Sequence, residues 1–173
     1  MFQLSYNPSK TNVMIFGKNV DHMPLFLHDV PITTISECKY LGAYVTAGRE
    51  FSTSATKPLS SFLCSANTIL NVLNKPSEPV LMQLLYCICV PVLTYACEVR
   101  KHNGREMTKM DVALNDCIRK IFTFNRWEST RELRKSLGYD SITEIFAKRA
   151  SSFLLKFDQT RNPVLMCLKS LLA

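Results

Sequence analysis

The chain changes period once. Through about the first 50 residues, apolar positions come in runs of three or four, punctuated by glycine and proline. Val13-Met14-Ile15-Phe16 ends at Gly17. Leu25-Phe26-Leu27 is separated by His28-Asp29 from Val30-Pro31-Ile32, the pattern of a hairpin. Cys38-Lys39-Tyr40-Leu41 leads to Gly42, and Ala43-Tyr44-Val45-Thr46 leads to Gly48. Short β-prone runs closed by turn formers predict strands. Four such strands make a small antiparallel sheet that cannot stand alone.

From about Ser54 the apolar period becomes three and four. Leu59, Phe62, Leu63, Ala66, Ile69, Leu70 and Leu73 form one stripe, and Asn74-Lys75-Pro76-Ser77 ends that helix. The next helix opens near Pro79 and carries Leu81, Leu84, Leu85, Ile88, Val92 and Tyr95. Pro91 in its interior should kink or split it, since the ring clashes with the preceding turn and an amide donor is missing. A further helix, about Glu106 to Phe124, sets Met107, Met110, Leu114, Cys117, Ile118 and Ile121 on one face. Lys109, Asp111, Asn115, Asp116, Arg119 and Lys120 lie on the other. Two capping boxes follow, Ser129-x-x-Glu132 before a short helix stopped by Gly138, and Ser141-x-x-Glu144. Asn162-Pro163 starts a last short helix. The expected fold class is α+β and mainly α, a small β-sheet fragment over residues 1–52 followed by a helical bundle over 53–173.

Composition leaves this picture in place. At 173 residues and 47% hydrophobic the chain can bury a core. Its longest apolar stretch, Val80 to Ala96, is broken by Gln83, Pro91 and Thr94 and falls short of a membrane span. No signal peptide opens the sequence, so the expectation is intracellular, cytoplasm or nucleus, and not secreted. The seven cysteines form no C-x-x-C pair, and no histidine stands near a cysteine pair. They read as small buried hydrophobes in a reducing compartment, with no disulfide partner and no zinc.

Charge does change the picture. The net charge is +7, and all of it lies after Val99, since Lys/Arg and Asp/Glu balance before that point. A basic half suits a polyanion, while a solvated lysine-rich surface is the plain alternative. Enzymatic chemistry finds little to work with. No carboxylates pair as an acid–base or two-metal set would require, and no Gly-rich phosphate loop or nucleophile elbow occurs.

Several motifs together resemble one family. Asn7-Pro8-Ser9-Lys10-Thr11 followed by Val13-Met14-Ile15-Phe16-Gly17 resembles the stretch that closes the palm of non-LTR (LINE-like) retrotransposon reverse transcriptases. Cys38-Lys39-Tyr40-Leu41-Gly42 resembles their primer grip. Pro91-Val92-Leu93-Thr94-Tyr95-Ala96-Cys97-Glu98 resembles the Pro-x-Leu-x-Tyr-(small)-x-Glu helix of the thumb region. Thr130-Arg131-x-Leu133-Arg134-x-x-Leu137-Gly138 and Ser141-Ile142 resemble the elements beyond it. The resemblance spans about residues 4 to 165, in the family's order and spacing. It implies the end of a palm plus a thumb from an RNA-directed DNA polymerase.

The departures carry information too. The family's metal-binding aspartates belong upstream of Asn7, and no Tyr-x-Asp-Asp occurs in this sequence. Cys38 stands where an aromatic is usual. The tryptophan that usually follows the helix glutamate by two residues is replaced in Glu98-Val99-Arg100. These changes fit a truncated or decaying copy, inactive alone. The complete family uses Mg2+; this chain is expected to hold no cofactor or metal and to have no catalytic residue. The one candidate is Lys10, which resembles a lysine proposed to protonate leaving pyrophosphate.

By position, the resemblance makes Lys39, Tyr40, Leu41 and Gly42 a hairpin that presents backbone to the primer; an ordinary β-turn is the alternative. It turns Arg119, Lys120, Arg126, Arg131, Arg134 and Lys135 toward a template–primer duplex, where phosphate contacts position without reading sequence. Trp127 either staples the helix after Ser129 or stacks on a base beside Arg126. The expected partner is RNA or an RNA–DNA duplex, bound weakly. Two other readings remain: a small basic nucleic-acid-binding module, and a translated relic with no molecular function.

Overall fold

A computed structural model describes residues 6–17, 24–72, 76–99 and 103–172. Leu73, Asn74 and Lys75, expected to close the first helix, lie outside the described residues, as do Asp21, His22, Arg100, Lys101 and His102. The fold is α+β, with small two- and three-stranded sheets followed by a helical part. Two compact units divide the chain, Met1–Lys57 and Pro58–Ala173.

In the first unit, tight turns dictate the pairing. His28 and Asp29 both take left-handed backbone, φ 50° and 61°. That sign pattern is the one a two-residue type I′ hairpin needs. It joins β2 (Phe26–Leu27) to β3 (Val30–Pro31) antiparallel. Leu41 and Gly42 repeat the device at φ 45° and 84°, joining β5 (Glu37–Tyr40) to β6 (Ala43–Thr46). Strand β7 (Ser52–Thr53) then pairs with β6. The unit runs on to Lys57, whose ammonium meets Glu37 at 3.1 Å and stands 4.3 Å from the Tyr44 ring centroid.

One expectation is corrected here. The strands form three separate sheets, one of them parallel: β1 (Asn12–Val13) with β4 (Thr33–Thr34). With a two-residue partner, only Val13 of the apolar run pairs, beside Asn12, and Met14 to Phe16 stay outside a strand. Among the described residues of this unit, Val45 and Ala55 are the buried apolar side chains.

The second unit has a true core. Helix α1 (Thr56–Val72) buries Phe62 and Ala66. Helix α2 (Glu78–Leu84) passes into a π turn at Leu85–Cys89 and then α3 (Val90–Thr94). The π turn is the form the expected break at Pro91 takes. Widening the helix just before the proline relieves the clash of its ring with the carbonyl of the preceding turn. Leu85, Cys89, Val90 and Leu93 thereby all stay buried. Helix α4 (Gly104–Phe122) is fully amphipathic, with Met110, Ala113, Leu114, Cys117, Ile118 and Ile121 inward. It packs on α2 and on α6 (Ile142–Gln159). Helix α5 (Arg131–Ser136) is short, and α7 (Pro163–Leu172) closes the chain, Asn162 Oδ1 accepting the Val164 N–H at 2.9 Å.

The two capping boxes part ways. Ser141 and Glu144 form theirs, the Ser141 hydroxyl accepting the Glu144 N–H at 3.1 Å and the Glu144 carboxylate accepting the Ser141 N–H at 2.6 Å. The Ser141 N–H, together with the Ser141 hydroxyl donating to the same carboxylate at 2.7 Å, holds the Glu144 carboxyl below its usual range. At Ser129 no box forms, because α5 starts one residue later with Thr130 as its N-cap. Thr130 is buried and its hydroxyl is spent on Asn115, at 2.8 Å. Gly138, at φ 74°, does stop α5, a conformation that suits glycine. Cysteine burial is also corrected. Cys89, Cys97 and Cys117 are buried and Cys38 is half-buried, but Cys64, Cys87 and Cys167 are exposed, on the outer sides of α1, the π turn and α7.

Candidate functional site

Of the sequence-derived residues in the first unit, the hairpin tip is the most defined. Tyr40 pairs with Ala43 across the Leu41-Gly42 turn, and Tyr40 and Leu41 are exposed. Lys39 is exposed on the same strand, 5.7 Å from the centroid of the Tyr44 ring. Lys10 ends a 3-10 turn, Pro8–Lys10, capped by Asn7, and is exposed.

In the second unit three polar side chains of α4 tie the helix to the chain that follows it. Asp111, Asn115 and Arg119 recur every four residues and so share one stripe. Each takes hold of the chain beyond the helix. Asp111 accepts the Ile142 N–H at 2.9 Å and the Thr143 hydroxyl at 2.7 Å. Asn115 accepts the Thr130 hydroxyl. Arg119 donates from Nε to the Glu128 carbonyl at 3.1 Å and from Nη1 to Asp116 at 2.8 Å. The i, i+4, i+8 spacing of Asp, Asn and Arg was the available signal. What it lacked was any sequence mark of the partners, which include the Ile142 N–H and the Glu128 carbonyl of the backbone.

The six predicted cations therefore fall into two classes. Arg119 is committed to its clamp, with a side chain 20% exposed. Arg134 is half-buried, and its Nε and Nη1 are buried with no hydrogen-bond partner. It lies against Tyr86, whose hydroxyl donates to the Asp140 carbonyl at 2.8 Å and whose ring stacks on Tyr139 at 4.3 Å. Burial pushes the Tyr86 phenol up to about 12, with Arg134 pulling the other way. Lys120, Arg126, Arg131 and Lys135 are exposed. Arg131, Arg134 and Lys135 line one recess of about 310 Å³ with Tyr139, Ser141 and the carboxylates Asp111 and Glu144.

A larger groove, about 880 Å³, is bounded by α1, α4 and the turn after α4. Leu59, Leu63, Val112 and Phe124 give it an apolar floor, and Lys109, Lys120 and Arg126 edge it. Trp127 does not staple the next helix, as the sequence had suggested; it is 83% exposed. The missing Ser129 box explains this, since the chain at Asn125–Glu128 instead closes on itself, Glu128 accepting the Asn125 N–H at 3.0 Å.

Among the described residues, no three His, Cys, Asp or Glu side chains gather to hold a metal. No described helix is long and apolar enough to cross a membrane. No family model, no curated protein and no solved structure matches the chain.

Proposed function

We propose that this chain is the carboxy-terminal part of a non-LTR retrotransposon reverse transcriptase, the end of a palm with its primer-grip hairpin and a thumb-like helical domain. In this reading it holds nucleic acid through phosphates and does not polymerise. The observation that supports it most is the two-residue Leu41-Gly42 turn under an exposed Tyr40, at the motif that resembles the primer grip. A hairpin with so short a loop and a glycine at its tip lets another backbone come close. The basic second half adds the charge a duplex backbone requires, with Arg131 and Lys135 both exposed at one recess.

The test is a titration of the chain into labelled RNA–DNA hybrid at two salt concentrations. Binding should be weak, indifferent to sequence and strongly salt-dependent, because each neutralised phosphate releases counterions. Affinity that ignores salt would sink the duplex role.

A further inference from the structure

We propose that the groove beside α4 is a single-strand site: it takes an unpaired stretch of RNA or DNA, bases against the apolar floor and phosphates at the cationic edge. The inference rests on the nucleic-acid reading above and names which form of nucleic acid this surface takes.

The groove has two chemistries in one place. Its floor includes Leu63 and Val112, which are 39% and 50% exposed and so remain open to a ligand. Phe124 adds an aromatic face, half-buried and tilted against Phe122 with ring centroids 5.8 Å apart. The edge is basic. Lys109 and Lys120 stand eleven residues apart on α4, which returns them to nearly the same side of the helix about 16 Å along its axis. Val112 and Asp116 lie between them. Lys120 also reaches Asn67 of α1 at 3.5 Å, so it stands over the groove and not away from it. Arg126 lines the groove from the turn after α4, and next to it in sequence is the exposed Trp127.

A duplex does not match that surface. Its base faces are stacked inside, and it offers only sugar and phosphate to an apolar floor. An unpaired strand offers both parts at once, a planar apolar face for each base and an anion repeated along the backbone. A cationic groove with stacking platforms is how sequence-tolerant single-strand binders work. An acidic amphipathic helix would also supply anions and an apolar face. It would leave the neighbouring Arg126-Trp127 pair unused, whereas an arginine beside an exposed indole is what a strand leaving the groove would meet.

The experiment is fluorescence anisotropy on the full chain with three labelled probes: an oligo(dT) of about 12 nucleotides, in the range of known single-strand sites, an RNA–DNA hybrid, and a designed Leu/Glu amphipathic helix. Val112→Glu puts a carboxylate on an exposed floor position. Lys156→Gln removes one positive charge from an exposed position on α6 and serves as the charge-matched control. A carboxylate on the floor repels the phosphates and displaces the base that would lie there, and losing the contact of one base corresponds to about tenfold in affinity. Val112→Glu should therefore weaken oligo(dT) binding about tenfold, leave the hybrid nearly unchanged, and melt as the parent does. The second variant, Lys109→Gln with Arg126→Gln, should lower the salt slope for oligo(dT) by about 1.4, at roughly 0.7 per phosphate.

Oligo(dT) binding that neither variant alters would overturn the single-strand site. If the hybrid binds with salt dependence and oligo(dT) does not, the groove inference fails while the duplex reading stands. If neither nucleic acid binds, both fail. If only the acidic helix binds and Val112→Glu abolishes it, the groove is a protein-docking surface and the inference is wrong.

Discussion

Asp111, in the middle of α4, accepts the backbone N–H of Ile142 at 2.9 Å and so caps a helix that begins thirty-one residues later. A helix start leaves its first N–H groups without partners, and a carboxylate there meets the positive end of the helix dipole as well. Ser141 and Glu144 satisfy their own share of that first turn, and Asp111 takes the Ile142 amide and the Thr143 hydroxyl. Asp111→Ala should cost about 1–2 kcal/mol of stability, as the removal of other caps does. Asp111→Asn keeps an acceptor but loses the charge, so it should cost less, about 0.3–1 kcal/mol. Chemical denaturation of the two variants checks the order; equal losses would show that the hydrogen bond contributes little.

Amide exchange should divide the chain at its two units. In the first, Val45 and Ala55 are the buried apolar side chains among the described residues, while Phe16, Leu25, Phe26, Val30 and Phe51 are exposed. Ladders of two to four residues with so little burial open easily. Amides within 6–57 should exchange fast, and those of α2, α4 and α6 slowly. Equal protection in both units would mean that the small sheets are stable by themselves.

How far these features could be read beforehand follows from where the partners sit. The hairpin at Leu41-Gly42, the stop at Gly138 and the box at Ser141 are local, their partners a few residues away, and all three were legible in the sequence. The inward face of α4 was legible for the same reason, since period alone sets it. Ser129 illustrates the limit. It has the same local pattern as Ser141, but Asn115 draws Thr130 into the core and moves the helix start by one residue. The parallel pairing of β1 with β4 joins residues twenty-one apart in the chain, and no local run specifies it. The stripe of Asp111, Asn115 and Arg119 was visible as a spacing, but its targets were not.

Alkaline pH should unfold the second unit early. Burial raises the Cys117 thiol from 9.0 to about 11 and the Tyr86 phenol from 10.0 to about 12. In both cases the folded state keeps its proton after the unfolded chain has lost it. The stability this represents is complete below pH 9 and falls as pH rises from 9 through 11 for Cys117, and from 10 through 12 for Tyr86. Cys117→Ala should be less stable by about 1 kcal/mol at pH 7, a small core truncation, yet lose less between pH 9 and 11. Denaturation midpoints at half-unit pH steps decide it; parallel curves for parent and variant would exclude Cys117 as a cause.

Primer extension is predicted to be absent. Two-metal phosphoryl transfer requires carboxylates to hold the ions, and this sequence has no Tyr-x-Asp-Asp. The purified chain should incorporate no nucleotide on a primed RNA template with either magnesium or manganese. Template-dependent incorporation that survives repurification would refute the proposal in its present form.

The cations of the second unit should separate by what already holds them. Arg119 bonds the Glu128 carbonyl and Asp116, and Arg134 packs against Tyr86, so neither guanidinium is open in the way that Arg131 and Lys135 are. A partly buried clamp acts on folding, since removing it leaves a backbone carbonyl short of its donor. Arg119→Ala should lower stability by about 1–2 kcal/mol, in line with removal of a hydrogen bond to a charged group, and change hybrid affinity little once the fraction folded is accounted for. Arg131→Ala with Lys135→Ala should do the reverse. Stability should stay within about 0.5 kcal/mol, as for surface changes generally, while hybrid binding weakens across all sequences. Its salt slope should fall by up to about 1.8, near 0.9 for each phosphate no longer neutralised. Arg49→Ala with Lys57→Ala, at exposed positions of the first unit, removes the same charge and should leave that slope alone. Should the two double variants give the same slope, total charge governs binding, and no face of the second unit has a special claim on the duplex.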